Sequence, residues 1–159
     1  MAKIALIPGS FDPVTLGHLS LVRRAVPLFD KVVVCLLINP DKTSLFSEEE
    51  RAAMLRAAAR AYPNVTVDID HGMTADYAVK IGASHLIRGI RNAADADYEL
   101  EMAAFNRARA GVETILFPAP PDIADVSSTL VRERLRDGKP LDGLLPDEVI
   151  AWLREHGKI

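Results

Sequence analysis

The sequence lacks most of the features that fix a small protein's class at sight. It has one cysteine, Cys35, so neither an internal disulfide framework nor a cysteine-based zinc site can form. A lone thiol suits a reducing compartment. Neither sign of charge dominates: Lys+Arg total 19, Asp+Glu 22, and the net charge is −3. A mildly acidic chain is without the basic face of a nucleic-acid binder, so no nucleic-acid partner is expected. No apolar run approaches the ~20 residues of a membrane span. The N-terminal MAKIALIPGS carries one lysine and a short apolar run broken by Pro8, too short for the apolar region of a signal peptide. The expectation is a soluble, cytoplasmic protein with no membrane partner.

What is present is ordinary globular material. A length of 159 residues points to one domain, residues 1–159, able to bury roughly 70% of its unfolded surface without metal or disulfide. Hydrophobic residues make up 49% and charged residues 26%, which excludes a disordered chain.

Five short apolar runs recur: Lys3–Ile7, Val32–Ile38, Val65–Ile69, His85–Ile87 and Thr114–Phe117. The second, VVVCLLI, is continuous rather than alternating, as suits a strand covered on both faces of a parallel sheet. Helical patterns lie between and after them: Gly17–Phe29, Ser47–Ala61, Ala75–Ile81, Ala94–Arg109, Ser127–Arg136 and Pro146–Glu155. Pro27 ends or loosens the first. Ser47 with Glu50 three residues on forms a capping box for the second, and Pro146 suits a first helical turn. This order predicts an α/β fold, a single-domain, Rossmann-like, doubly wound five-stranded parallel sheet with a C-terminal helical extension. Ligands of such sheets bind outside the carboxyl ends of the strands.

The segments after each run therefore carry the function. After the first comes Pro8-Gly9-Ser10-Phe11-Asp12-Pro13-Val14-Thr15-Leu16-Gly17-His18, a turn-rich loop opening a helix whose free N–H groups suit a phosphate. Gly9 and Gly17 allow backbone to approach a ligand closely, and His18 can point back at the same anion. Asp12, before Pro13, shapes the turn. The loop is neither GxGxxG nor a P-loop with GK[ST]. After the second run, Lys42 offers a point charge that suits a phosphate. After the third, Thr74 reads as a helix N-cap near enough to touch a substrate.

After the fourth run comes Arg88-Gly89-Ile90-Arg91. A charge following buried-looking Leu86-Ile87 needs a partner, either a buried salt bridge or an anion at the sheet edge. Asp95, Asp97, Glu99 and Glu101 follow, and Glu99 is the one expected to face inward and hold Arg91 or a ribose. After the fifth, Ser127-Ser128-Thr129 open a helix. Capping explains one hydroxyl; three suggest a second phosphate cradle. His71, His85 and His156 read as structural or surface residues, and Cys35 as an inert core thiol. No paired carboxylates, Ser-His-Asp set or metal-ligand spacing stands out.

Gly9-Ser10-Phe11-Asp12-Pro13 with Thr15-x-Gly17-His18 resembles the (H/T)xGH signature of the nucleotidyltransferase α/β superfamily. Val126-Ser127-Ser128-Thr129-Leu130-Val131-Arg132 resembles its ISSTxxR signature. Ile87-Arg88-Gly89-Ile90-Arg91, Asp95-x-x-Tyr98-Glu99, Asn106-Arg107 and Lys42 narrow the likeness to the bacterial phosphopantetheine adenylyltransferases, across essentially the whole chain. Ser10 stands where that family often has Thr, and Thr74 where apolar residues are common.

The resemblance implies ATP and 4′-phosphopantetheine as substrates, dephospho-coenzyme A and pyrophosphate as products, and coenzyme A as a feedback ligand. It implies direct in-line attack without a covalent intermediate, carried by positioning and charge. His18 would donate to the α-phosphate; Ser10 and Lys42 would hold the attacking phosphate, with Arg91 also in the catalytic set; Arg88 would bind the pantetheine phosphate and Thr74 its substrate. Ser10, Phe11, His18, Gly89, Ile90, Arg91, Glu99 and the segment Ile123, Ala124, Asp125, Val126, Ser127, Ser128 and Thr129 would bind ATP. Mg²⁺ would accompany ATP through phosphate and water, with no protein metal ligand. The family is hexameric, which makes a homohexamer the expected assembly. The competing readings are transfer to nicotinate mononucleotide or to a sugar or glycerol phosphate, a noncatalytic nucleotide-binding module, and a purely structural α/β domain.

Overall fold

Five strands, β1 (Ile4–Gly9), β2 (Lys31–Leu37), β3 (Val65–Asp70), β4 (His85–Ile90) and β5 (Glu113–Pro118), alternate with α1 (Leu16–Ala25), α2 (Glu48–Ala59), α3 (Thr74–Ile81) and α4 (Ala93–Ala110) in the computed structural model, which describes residues 1–159. A 3₁₀ turn at Pro121–Ile123, α5 (Ser128–Arg136) and α6 (Asp147–Glu155) follow. The strands form one parallel sheet in the order β3-β2-β1-β4-β5. The chain works outward from β1 to β3, then returns to the other side of β1, so the order reverses between β1 and β4.

Both sheet faces are covered, which is why the central strands show no polar alternation. Ala5, Ile7, Val32, Val34, Leu36 and Ile87 pack on the side holding α1, α2, α5 and α6. Leu6, Val33, Cys35 and Leu86 pack on the side of α3. No helix is long and apolar enough to cross a membrane.

The pairing of β1 with β4 opens the crevice. Only Ala5↔His85 and Leu6↔Leu86 are paired, although both strands continue. Pro8 has no N–H to offer β4, and its carbonyl is taken instead by the Arg88 guanidinium at 3.1 Å. The two strands therefore separate at their carboxyl ends, at the point where the strand order reverses.

Several boundaries differ from the sequence reading. α1 ends at Ala25 rather than Phe29: Val26 still has helical backbone and donates to the Val22 carbonyl, but Pro27 has no N–H with which to continue the ladder. Thr74 is the first residue of α3 and Met73 the residue before the helix, with no side-chain cap, so Thr74 is not the N-cap. The Asp70 carboxylate instead takes the Gly72 N–H at 2.9 Å, which turns the chain into the helix one residue early. Pro146 likewise precedes α6 rather than opening it.

Candidate active site

Two clefts, of about 550 and 580 Å³, meet at the carboxyl ends of β1 and β4. Both are lined by Pro8, Gly9, Ser10, Arg88, Tyr98 and Glu99. The first runs toward β2, β3 and α3, past Leu37, Met73, Thr74 and Met102. The second runs between the N-termini of α1 and α5, past His18, Lys42, Arg91 and Thr129.

The loop after β1 is tightly specified. Phe11 has φ 43°, a left-handed conformation unusual for a bulky residue. Its ring lies edge-on to His18 with centroids 4.9 Å apart. A Cβ on Gly9 would stand 3.0 Å from that ring, so residue 9 must be glycine for Phe11 to fold back. Asp12 is buried and accepts from the N–H groups of Leu45, at 2.8 Å, and Phe46, at 3.0 Å. It ties the segment carrying Lys42 to the loop.

His18 closes a capping box on α1. The Thr15 side chain accepts from the His18 N–H, and the His18 Nδ1 accepts from the Thr15 N–H at 3.0 Å. A backbone N–H can only donate, so Nδ1 is the unprotonated nitrogen and the ring proton sits on Nε2. Burial first, then the charges of Arg88 and Arg91, lower the imidazole pKa to about 4. His18 is therefore a neutral Nε2–H donor at neutral pH rather than one of the site's positive charges.

Arg88 and Glu99 form the centre of the junction. Arg88 Nε and Nη2 fork onto the Glu99 carboxylate at 2.9 and 2.7 Å. Burial disfavours the guanidinium charge, but the two Glu99 oxygens outweigh it and raise the pKa further. Glu99 faces inward as expected, but of the partners expected for it, Arg91 or a ribose, Arg91 is not the one it holds. Arg91 lies beyond the strand end, where Asp95 four residues on accepts from its N–H and Nε. The partner of Glu99 is the arginine whose strand position lies under α4.

The Ser127-Ser128-Thr129 hydroxyls all have protein partners, but only that of Ser128 spends its proton on one. Ser127 Oγ caps α5 by accepting from Leu130, Ser128 Oγ donates to the Pro13 carbonyl at 2.8 Å, and Thr129 Oγ1 accepts from Arg132. They build the helix end, and the donors left over are the Ser127 and Thr129 hydroxyl protons and the Ser128 and Thr129 N–H groups, which have no protein acceptor. Gly17 N–H is likewise free at the start of α1. Backbone donors at the two helix starts thus stand beside the hydroxyls expected from the sequence.

Lys42 is exposed in the second cleft with no ion-pair partner. Phe11, Gly89, Ile90, Ile123, Val126 and Ser127 line the same cleft, whereas Ala124 and Asp125 line neither. Two further arginines of the second cleft are not among the site residues expected from the sequence, although Arg132 closes the ISSTxxR-like segment. Arg132 donates to the Asp12 carbonyl at 2.9 Å; its spacing of three from Thr129 on a helix was the available signal. Arg24 donates to the Pro118 carbonyl at 2.9 Å and lies over the Phe117 ring; at the polar end of α1 it carried no signal at all. No group of three or more His, Cys, Asp or Glu side chains is arranged as metal ligands. The carboxylates near the cleft, Asp12, Asp95 and Glu99, already hold protein donors.

The cytidylyltransferase-like family model matches residues 6–134, a span that contains both clefts' loops. A phosphopantetheine adenylyltransferase of Frankia casuarinae is 45% identical over 155 residues, covering 95% of this chain and 96% of that protein. One of Kocuria rhizophila, of the same description, is 45% identical over 152 residues, covering 95% of this chain and 97% of that protein.

Proposed function

The chain belongs to the cytidylyltransferase-like family, and from that membership we propose that it transfers the adenylyl group of ATP to 4′-phosphopantetheine, giving dephospho-coenzyme A and pyrophosphate. The observation that carries this reading is the meeting of two clefts at Ser10 and Arg88. Two long anionic substrates can enter from opposite sides and bring their phosphates together there.

In this reading the triphosphate lies along the second cleft, on the Gly17, Ser128 and Thr129 N–H groups and the positive ends of α1 and α5. Lys42, Arg91 and Arg132 add charge. The first cleft takes the pantetheine arm along Leu37, Met73 and Met102, with Asn106 and the unpartnered Thr114 Oγ1 as polar contacts for its amides. Arg88 and Ser10 receive its phosphate.

The reaction needs no protein base. A phosphate monoester has its second pKa at about 6, so it arrives at neutral pH largely as a dianion. One of its oxygens forms a bond to the α-phosphorus, the bond from that phosphorus to the bridging oxygen breaks, and pyrophosphate leaves with the electron pair. The His18 Nε2–H donates to the α-phosphate as charge builds there. A neutral donor suits this role because it loses no proton during the step. Mg²⁺, when bound, would neutralise the triphosphate; with the nearby carboxylates engaged, ATP oxygens and water would hold it. Coenzyme A, which shares the product's framework, would compete at the same junction.

The test is a substrate screen. Purified protein should release pyrophosphate from ATP and Mg²⁺ only when 4′-phosphopantetheine is added. Release with nicotinate mononucleotide in its place overturns the assignment. In the same assay His18→Ala should lose most of kcat with ATP affinity little changed, the signature of an interaction made in the transition state.

A further inference from the structure

Arg51, in the first turns of α2, is only 5% exposed. None of the chain's ion pairs includes it. Its Nη1 donates to the Ser10 carbonyl at 3.1 Å and its Nε to the Ser47 carbonyl at 3.4 Å. The carboxylates that follow those two acceptors in sequence are engaged elsewhere. Asp12 accepts from Leu45 and Phe46, and Glu50 accepts from Ser47 and pairs with Lys158.

A buried guanidinium without a counter-ion is costly. The N-terminal end of α2 carries positive partial charge, which the first-turn glutamates Glu48, Glu49 and Glu50 offset, but none of them is within ion-pair distance of Arg51. Two carbonyl acceptors alone do not call for a charge, since a neutral amide donates to carbonyls equally well. The protein thus keeps an uncompensated positive charge directly behind Ser10, the residue that lines both clefts. Arg51 itself lines neither. An anion seated at Ser10 would supply the missing counter-charge.

We propose that Arg51 is a positioning residue for the attacking phosphate. Through the Ser10 carbonyl it fixes the backbone that carries the Ser10 hydroxyl, and its charge draws the phosphate dianion to the junction of the clefts. This rests on the functional reading above. It makes Arg51 part of the recognition of the phosphate rather than of the pantetheine arm or of ATP.

The experiment compares wild type with Arg51→Gln and Arg51→Lys. It uses steady-state pyrophosphate release, calorimetric binding of 4′-phosphopantetheine, of pantetheine without its phosphate, and of ATP, and a thermal melt. For Arg51→Gln, kcat/KM for 4′-phosphopantetheine should fall at least about tenfold, while the Kd values of pantetheine and ATP stay within about twofold. Arg51→Lys, which keeps the charge and loses the fork, should recover most of the 4′-phosphopantetheine affinity but not kcat. Unchanged kinetics in Arg51→Gln, or equal losses of affinity for the phosphorylated and unphosphorylated ligands, overturn the proposal. If Arg51→Gln does not fold, Arg51→Lys decides: a kcat within about twofold of wild type overturns it, and a larger loss at unchanged ATP affinity supports it. A wild type inactive toward this substrate pair overturns the functional reading and this proposal with it; an active wild type with an unaffected Arg51→Gln overturns the proposal alone.

Discussion

His18 has two tasks on one ring. Nδ1 completes the capping box of α1, and that bond leaves the proton on the nitrogen free to serve the cleft. Position 18 in a helix's first turn was legible from the sequence; the charge state was not. It depends on burial and on Arg88 and Arg91, 70 or more positions away along the chain. The shift has a consequence for stability. The imidazole titrates at about 4 in the folded chain against 6.5 ordinarily, so between those values the unfolded chain binds more protons. The stability linked to His18 is complete above pH 6.5 and is lost as pH falls toward 4. His18→Gln keeps a capping-box acceptor at this position and removes the titration. In urea melts without nucleotide, the stability advantage of wild type over His18→Gln should shrink from pH 7 to pH 4. An advantage that stays constant would show that the ring titrates normally. Cys35 is simpler: burial, with Asp68 and Asp70, pushes the thiol up to about 12, which keeps it a protonated, inert core residue.

At the scale of elements, α2 and α4 show how far pattern carries. The capping box of Ser47 and Glu50 is present as read, with Ser47 Oγ accepting from Glu50 N–H and Glu50 accepting from Ser47 N–H. Ser47→Ala should therefore cost about 1 kcal/mol in denaturant unfolding; a loss below a few tenths would mean the cap is dispensable. The same helix hid Arg51, because an arginine in an Ala- and Arg-rich helix looks like part of a solvated face. α4 defeats pattern more thoroughly. It runs for 18 residues, yet only Glu99 and Asn106 are buried. Tyr98, Leu100 and Phe105 are exposed, at 57%, 59% and 44%. An amphipathic helix normally buries its apolar stripe. Here Tyr98, Met102 and Phe105 line the clefts beside Glu99 and Asn106, and Leu100 is the large exposed apolar residue that lines neither.

For the whole molecule, exposed Leu100 on α4 is a candidate contact for the homohexamer that the family resemblance implies. Leu100 lines neither cleft, so Leu100→Glu tests assembly apart from ligand contacts. It should shift the sedimentation coefficient to smaller species with the fold retained by circular dichroism; an unchanged coefficient would remove α4 from the interface. The molecule's charge also has a shape. A net charge of −3 coexists with Lys42, Arg88, Arg91, Arg24 and Arg132 gathered at one sheet edge, which concentrates positive potential where anionic ligands enter.

The sequence by itself determined the order of strands and helices, the coverage of both sheet faces and the two loops that open α1 and α5. Those are properties of neighbours along the chain: apolar runs, caps, prolines and glycines act over a few residues. Only the tertiary structure decided which charges neutralise one another. Arg88 with Glu99 rather than Arg91, the neutral His18, the Ser128 hydroxyl turned onto the Pro13 carbonyl, and Arg51 left without an ion-pair partner all depend on distances between segments remote in sequence. Electrostatic and hydrogen-bond energies follow distance in space and burial, and the splaying of β1 from β4 beyond Leu6 and Leu86 sets those distances.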